Sequence, residues 1–331
     1  MNERSTLLKN WLDQLGYRDY RLNPASEDAS FRTYLRLQTA DESWIVMDAP
    51  PDMEPCDQFI AVADKLRTAG LNAPEIIAHN LDHGFLVLTD FGSSDYLSQL
   101  SPKTEASLYS DALAALLLMQ TRIDADDLPP YDAALLHREM DLFHDWFLGK
   151  LMGITLDQAQ QATWQSIKQA LVDNALLQPQ VFVHRDYHSR NLMKTDKKNP
   201  GILDFQDAVK GPITYDLVSL LRDCYIAWPA TRIDQLALDY YEFACANELL
   251  DVEAEQFIRW FNLMGIQRHL KAIGIFSRLK IRDGKIGYLK DIPRTLEYLR
   301  QISAGEMPMA GLSSIIEQLQ LGTRVHALAA G

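Results

Sequence analysis

The 331-residue chain carries 45 acidic against 32 basic side chains, a formal net charge of −13, and 47% of its residues are hydrophobic. This make-up excludes a disordered polyelectrolyte. It also excludes wholesale binding to nucleic acid or an anionic membrane, whose phosphates would be repelled over most of the surface. At about 150 residues per domain, the length fits two domains or one domain of two lobes.

Leu7, Leu8, Trp11, Leu12 and Leu15 fall at helical spacing, and Gly16 follows where a helix commonly stops. Phe31, Thr33, Leu35 and Leu37 then alternate with Arg32, Tyr34 and Arg36, which is strand periodicity. A polar turn over 39–43 leads to a second strand, Trp44-Ile45-Val46-Met47, so the pair reads as an antiparallel hairpin. Pro50, Pro51 and Pro55 break the pattern, and Asp57 is placed to cap a helix carrying Phe59, Ile60, Ala63 and Leu66 that ends at Gly70. Two short strands follow, near 76–77 and 85–88. Residues 1–92 therefore read as a small antiparallel-sheet lobe with one inserted helix.

Beyond residue 95 helical patterns dominate, over 108–121, 142–152, 158–171 and from Tyr215 to about residue 319. Short strand-like runs near 181–193 and 201–205 read as a hairpin interrupting this larger lobe, 93–331. Three scattered cysteines, Cys56, Cys224 and Cys245, fit no disulfide framework and suit a reducing compartment. The longest apolar run, 112–119, falls short of the roughly 20 residues that span a bilayer. With no signal-peptide core after Met1, a cytoplasmic location is expected.

The chemistry concentrates in His184-Arg185-Asp186-Tyr187-His188-Ser189-Arg190-Asn191, a polar loop between apolar strands, and in Asp204 at the end of the next strand. Phosphoryl transfer needs a hydroxyl held in line with a γ-phosphate and cations to offset charge. Asp186 can orient that hydroxyl and accept its proton. Asn191 and Asp204 offer hard oxygen donors suited to Mg²⁺, and His184 would support the loop. His184, Asp186 and His188 also spell H-x-D-x-H, a pattern open to a hydrolytic metal site, although no second His/Asp cluster accompanies it.

These motifs resemble the aminoglycoside phosphotransferase and choline kinase group of the protein-kinase-like superfamily, with Gly211-Pro212 and Tyr215-Asp216-Leu217 matching its downstream segment. The longer strings 184–193 and 203–208 are similar to bacterial anomeric kinases acting on N-acetylmuramate and N-acetylglucosamine in cell-wall recycling. The resemblance, over about residues 26–290, implies an α+β, protein-kinase-like two-lobed fold with a small antiparallel-sheet N-lobe and a larger, mostly helical C-lobe. It implies ATP and Mg²⁺ as cofactors and a small sugar as acceptor. No nucleic-acid or membrane partner is expected, and the chain is expected to be a monomer. Ser30 and Arg32 would cover the nucleotide phosphates, Leu88, Thr89 and Asp90 would meet the adenine edge, and Met193 and Leu203 would floor it. Asp216 would brace the catalytic loop.

Asp90-Phe91-Gly92 spells a kinase metal motif but lies 94 residues before His184, on the wrong side of the loop, so it reads as a hinge turn. No glycine-rich phosphate loop occurs, and the strand expected to deliver a lysine reads Met47-Asp48. Arg32 or Arg36 is the candidate for the missing cation. For the acceptor, residues 265–290 hold seven basic side chains against Asp283 alone. Arg268 and His269, with Arg222 and His188 behind them, are candidates to meet an anionic sugar, and Tyr225, Trp228 and Trp260 could stack on its ring. Aminoglycosides, choline and other amino sugars remain alternative acceptors, and a non-catalytic kinase-like binding module is the alternative from another class.

Overall fold

The computed structural model of the protein describes residues 3–26, 31–306 and 309–330. The chain divides into two compact units, one of Met1–Gln99 with Asn191–Asp207 and one of Leu100–Arg190 with Ala208–Gly331.

In the first unit, helix α1 (Glu3–Gln14) precedes strands β1 (Arg21–Ser26), β2 (Thr33–Gln38) and β3 (Ser43–Asp48), helix α2 (Asp57–Thr68), and strands β4 (Ile76–Asn80) and β5 (Phe85–Thr89). The five strands form one antiparallel sheet in the order β1-β2-β3-β5-β4. Its core joins Leu8, Trp11 and Leu12 of α1 to Leu37, Val46, Phe85 and Val87 of the sheet. Leu7 and Leu15, the outer members of the helical stripe, are exposed.

Strand β1 has no alternating signature in the sequence. It carries Pro24, which costs a ladder hydrogen bond, and so it lies at the sheet edge with its register shifted between Pro24 and Ser26. Asp57 is not the cap of α2. Cys56 occupies that position without a side-chain cap bond, and Asp57 begins the helix, where its charge suits the N-terminal dipole. At the β4–β5 turn Gly84 has a φ of +68°, and a side chain there would meet the Ala49 carbonyl oxygen. That carbonyl belongs to the residue whose N–H donates to Gly84 O at 2.9 Å, which fixes how closely the two segments approach.

The 181–205 region is not one hairpin. Strand β6 (Gln180–Val183) pairs with β9 (Val209–Pro212) in the second unit, while β7 (Leu192–Met193) pairs with β8 (Gly201–Ile202) in the first. The β7–β8 ladder is tied down by Lys194 N–H to Ser94 O and Ile202 N–H to Asn72 O, both 2.8 Å, and by Phe205 packing on Phe59 of α2.

After the short helix α3 (Tyr96–Gln99) at the end of the first unit, the second unit is helical apart from β6 and β9. It comprises α4 (Glu105–Arg122), α5 (Ala133–Leu142), a π-helical segment Phe143–Leu151, α6 (Gln158–Leu177), α7 (Thr214–Leu221), α8 (Ala230–Ala246) and the 30-residue α9 (Ala254–Asp283). A short 3-10 turn (Ile286–Asp291), α10 (Ile292–Gly305), α11 (Ala310–Gln318) and α12 (Leu321–Ala330) complete it. Helix α9 is the central element and packs against α5, the π-helical segment, α6, α7, α8 and α10. Gly274 allows this, because a side chain there would strike the Leu142 backbone where α5 passes into the π-helical segment. No helix among the described residues is long and apolar enough to cross a membrane.

Candidate active site

The loop after β6 is held by two buried carboxylates. Asp216, near the start of α7, accepts the N–H of His184 at 2.6 Å and of Arg185 at 3.0 Å, one on each oxygen. These bonds hold Arg185 in the left-handed region at a φ of +77°. Asp223, just past α7, accepts the Ser189 N–H at 3.0 Å and its hydroxyl on one oxygen, and the Tyr225 N–H at 2.9 Å on the other. Between the two clamps, the buried Tyr187 donates its hydroxyl to Ala112 O at 2.8 Å, and the His188 N–H closes a tight turn onto Asp186 O at 3.0 Å. His184 is wholly buried and accepts the Asp186 N–H on Nδ1 at 3.3 Å. Asp186 is thus presented by backbone bonds anchored in α4 and α7.

A charge network lies beneath this loop, centred on Glu139 of α5, a residue with no motif around it in the sequence. Glu139 accepts from Arg185 at 2.5 Å, and Lys271 Nζ lies 3.3 Å from the same oxygen. Its other oxygen accepts from the Tyr131 hydroxyl and from Gln267 at 3.3 Å. Lys271 in turn donates to the Tyr215 hydroxyl at 2.9 Å. One carboxylate therefore serves two cations, which leaves positive charge in excess near Asp186. Burial alone would raise the Asp186 carboxyl, but Lys271, His188, Arg268 and Arg185 outweigh it and hold the group down at about 2. It is ionised throughout the neutral range.

Asp186 opens onto a cavity that it shares with His188, Cys224, Tyr225, Arg268 and Lys271. Of the four candidate acceptor residues, the structure brings His188 and Arg268 to this cavity and leaves out the other two. Arg222 turns away to donate to Asn262 at 2.6 Å and to lie over Phe261. His269 stacks on Tyr298 with Nε2 against Arg222 O at 2.9 Å, and burial lowers its imidazole to about 3. Trp228 donates to the Tyr109 hydroxyl and Trp260 is buried, whereas Tyr225 lines the cavity with His188 edge-on against it. The charge of residues 265–290 is likewise divided. Arg268 and Lys271 point inward from α9, while Arg282 and Lys290 lie exposed.

In the first unit, Asn191 Nδ2 donates to Asp204 Oδ2 at 3.2 Å, and Gln206 donates to the other oxygen at 2.7 Å. Leu203 N–H returns to Asn191 O at 2.9 Å, so β7 and β8 bring the two side chains into register. Asp204 takes a left-handed φ of +63°, a conformation that costs free energy and is kept where surrounding structure enforces it. Among the described residues no group of three or more His, Cys, Asp and Glu side chains is placed to hold a metal. The amide and carboxylate oxygens of Asn191 and Asp204 still fit Mg²⁺, which takes one or two protein oxygens and completes its shell from phosphate and water.

Met193 and Leu88 are buried, and Leu203, the residue before Asp204, is half-buried. Asp90 is engaged within the unit. It receives Arg36 through both oxygens at 2.7 and 3.1 Å and the Gly92 N–H at 2.8 Å, and Arg36 also donates to Gly92 O. This bidentate pair makes Asp90-Phe91-Gly92 a braced turn and commits Arg36 to it. Thr89 exchanges bonds with Glu75. Arg32 pairs with Glu54 at 2.7 Å, Asp48 is met by Arg4 at 2.6 Å, and Met47 is buried. Ser30 lies outside the described residues.

Asp216 also makes a pH-dependent contribution to stability. Burial raises its carboxyl to about 7 despite the two N–H bonds, with the Asp186 charge acting in the same direction. The unfolded chain releases that proton near pH 3.9 or so, an ordinary aspartate value. The resulting stabilisation is complete below the unfolded value and is lost as pH rises through the folded one. Urea unfolding from pH 4 to 8 should therefore show wild-type stability falling toward neutrality relative to Asp216→Asn. Parallel pH profiles for the two proteins would contradict this.

Residues 21–250 match the phosphotransferase enzyme family APH. A protein of Pseudomonas putida named N-acetylmuramate/N-acetylglucosamine kinase is 46% identical over 305 residues, covering 92% of this chain and 89% of its own length. A protein of the same name from Neisseria meningitidis is 41% identical, covering 96% of each chain. Among solved structures, choline kinase LicA from Streptococcus pneumoniae has a TM-score of 0.65 at 10% identity, over 92% of this chain and 100% of that one. The ADP-bound aminoglycoside phosphotransferase APH(2'')-Ib has a TM-score of 0.60 at 15% identity, over 89% and 97%. The loop geometry, the family match and the relatives agree: the chain belongs to the phosphotransferase enzyme family and is a kinase of kinase-like, two-lobed fold.

Proposed function

We propose that the protein transfers the γ-phosphoryl group of ATP to the anomeric hydroxyl of N-acetylmuramate and N-acetylglucosamine, giving the sugar 1-phosphate and ADP. The observation that carries this reading is the ionised Asp186 facing a cavity that also holds two buried cations, Arg268 and Lys271. In the proposed mechanism Asp186 accepts a hydrogen bond from the attacking hydroxyl and takes its proton as the bond to phosphorus forms. His184 and Asp216 keep the loop in place. Asn191 and Asp204 would hold Mg²⁺, whose role is to offset charge on the transferring phosphates. Leu88, Thr89, Met193 and Leu203 would contact the nucleotide, with Arg32 near its phosphates. No covalent enzyme intermediate is needed, since positioning and charge compensation account for catalysis of this kind.

A polycationic acceptor such as an aminoglycoside would have to enter a cavity already bearing Arg268 and Lys271, and this counts against it despite the net charge of −13. We place the protein, on the same reading, as a monomer in the cytoplasm. A coupled ADP-release screen with N-acetylmuramate, N-acetylglucosamine, kanamycin and choline tests the reading. Turnover is expected with the two sugars. Turnover confined to kanamycin or choline would replace it, and ATP binding without turnover of any acceptor would favour a binding module.

A further inference from the structure

Arg268 carries a buried charge that no carboxylate of the protein meets directly. The residue is 6% exposed, Nη1 touches only Cys224 Sγ at 3.7 Å, and Nε has no hydrogen-bond partner. Among the described residues it forms no ion pair. Asp186 and Asp223 act on it only at longer range, and the oxygens of Asp223 are taken by Ser189 and Tyr225. Its neighbours on the same side are different, because Lys271 and Arg185 both reach Glu139. His188, facing the same cavity, has a buried Nδ1 that also lacks a partner. A buried guanidinium without a counter-ion is costly, and two unmatched nitrogen sites on one cavity wall are suited to receive an anion.

We propose that Arg268, with His188 beside it, forms an anion subsite of the acceptor cavity and receives the carboxylate of an acidic sugar. In N-acetylmuramate this is the lactyl group. The proposal rests on the acceptor reading above and deepens it. Because Asp186 and Arg268 line one cavity, a single small molecule can place its reacting hydroxyl at the first and its acid group at the second. A neutral N-acetylglucosamine reacts at Asp186 and leaves the subsite unfilled. The subsite therefore sets preference between the two sugars and takes no part in the chemical step.

The test compares kcat/KM for N-acetylmuramate and N-acetylglucosamine in wild-type, Arg268→Met and Arg268→Lys proteins. The acid-over-neutral ratio should fall about 30-fold in Arg268→Met, as expected for loss of a charge-assisted contact, with the change carried by KM. Arg268→Lys keeps the charge but not the fork, so its ratio should lie between the two. An unchanged ratio overturns the subsite. Equal losses on both sugars also overturn it, since they would assign Arg268 to the transferred phosphoryl group or to the fold. Wild-type protein that turns over neither sugar removes the acceptor reading and the subsite together, so the two failures are told apart by the wild-type measurement alone.

Discussion

Asp186→Asn protein should fold, bind nucleotide as the wild type does, and lose about 1000-fold in kcat on every acceptor, within the range for removing a positioned proton acceptor. Asparagine nearly preserves the shape of the side chain, and the backbone bonds that present residue 186 do not involve its carboxylate. The carboxyl is held at about 2, so it is a weak base in the ground state. In the proposed mechanism it orients the hydroxyl and accepts the proton late, which suits a loose transition state in which bond formation to phosphorus is small. The wild-type kcat should accordingly show no Asp186 titration above pH 4 or so, because a carboxyl held at about 2 is already ionised there. An Asp186→Asn protein within a few-fold of wild-type kcat would contradict the assignment.

Glu139→Gln should be the most damaging substitution outside the cavity. The change keeps the side-chain shape and removes one charge, leaving Arg185 and Lys271 buried near each other with no carboxylate between them. Breaking a buried pair in this way costs about 3–5 kcal/mol. The Glu139 carboxyl is itself held low, because Lys271 and Arg185 outweigh the effect of burial. Urea unfolding should show the loss directly. Arg185 is next to Asp186, so kcat should also fall while KM for ATP changes little. Stability within about 1 kcal/mol of wild type would show that the network is already compensated by other groups.

The proposed catalytic loop was legible because its candidate residues are local. His184, Asp186, Asn191 and Asp204 fall within 21 residues, and the apolar flanks mark where strands deliver them. The clamp by Asp216 followed from the family resemblance. Glu139 could not be found this way. It lies 46 residues from the Arg185 that it neutralises, on a helix whose sequence places an ordinary charged residue there. Asp223 was equally silent, because its partner Ser189 is brought to it only by the tertiary fold, and its bond to the Tyr225 N–H is an ordinary local turn.

The basic segment on α9 was visible as an average but not in its parts. Helical rotation turns Arg268 and Lys271 into the cavity, and turns the adjacent His269 toward Tyr298 and Arg222. In the sheet, alternation located β2 and β3, but the edge strand β1 is held by pairing that its Asn23-Pro24 sequence does not advertise. Strand pairing was also misread where the runs near 181–193 and 201–205 were expected to form one hairpin, since β6 pairs with β9 and only the short β7 pairs with β8. Two-residue strands such as β7 and β8 carry too little pattern to specify a partner.

Locating the phosphate on the product tests the central claim most directly. Protein incubated with ATP, Mg²⁺ and N-acetylmuramate should release ADP and yield one new phosphorus-31 resonance coupled to the anomeric proton. A phosphate on any other carbon, or no sugar phosphate under conditions where kanamycin or choline is phosphorylated, would contradict the account.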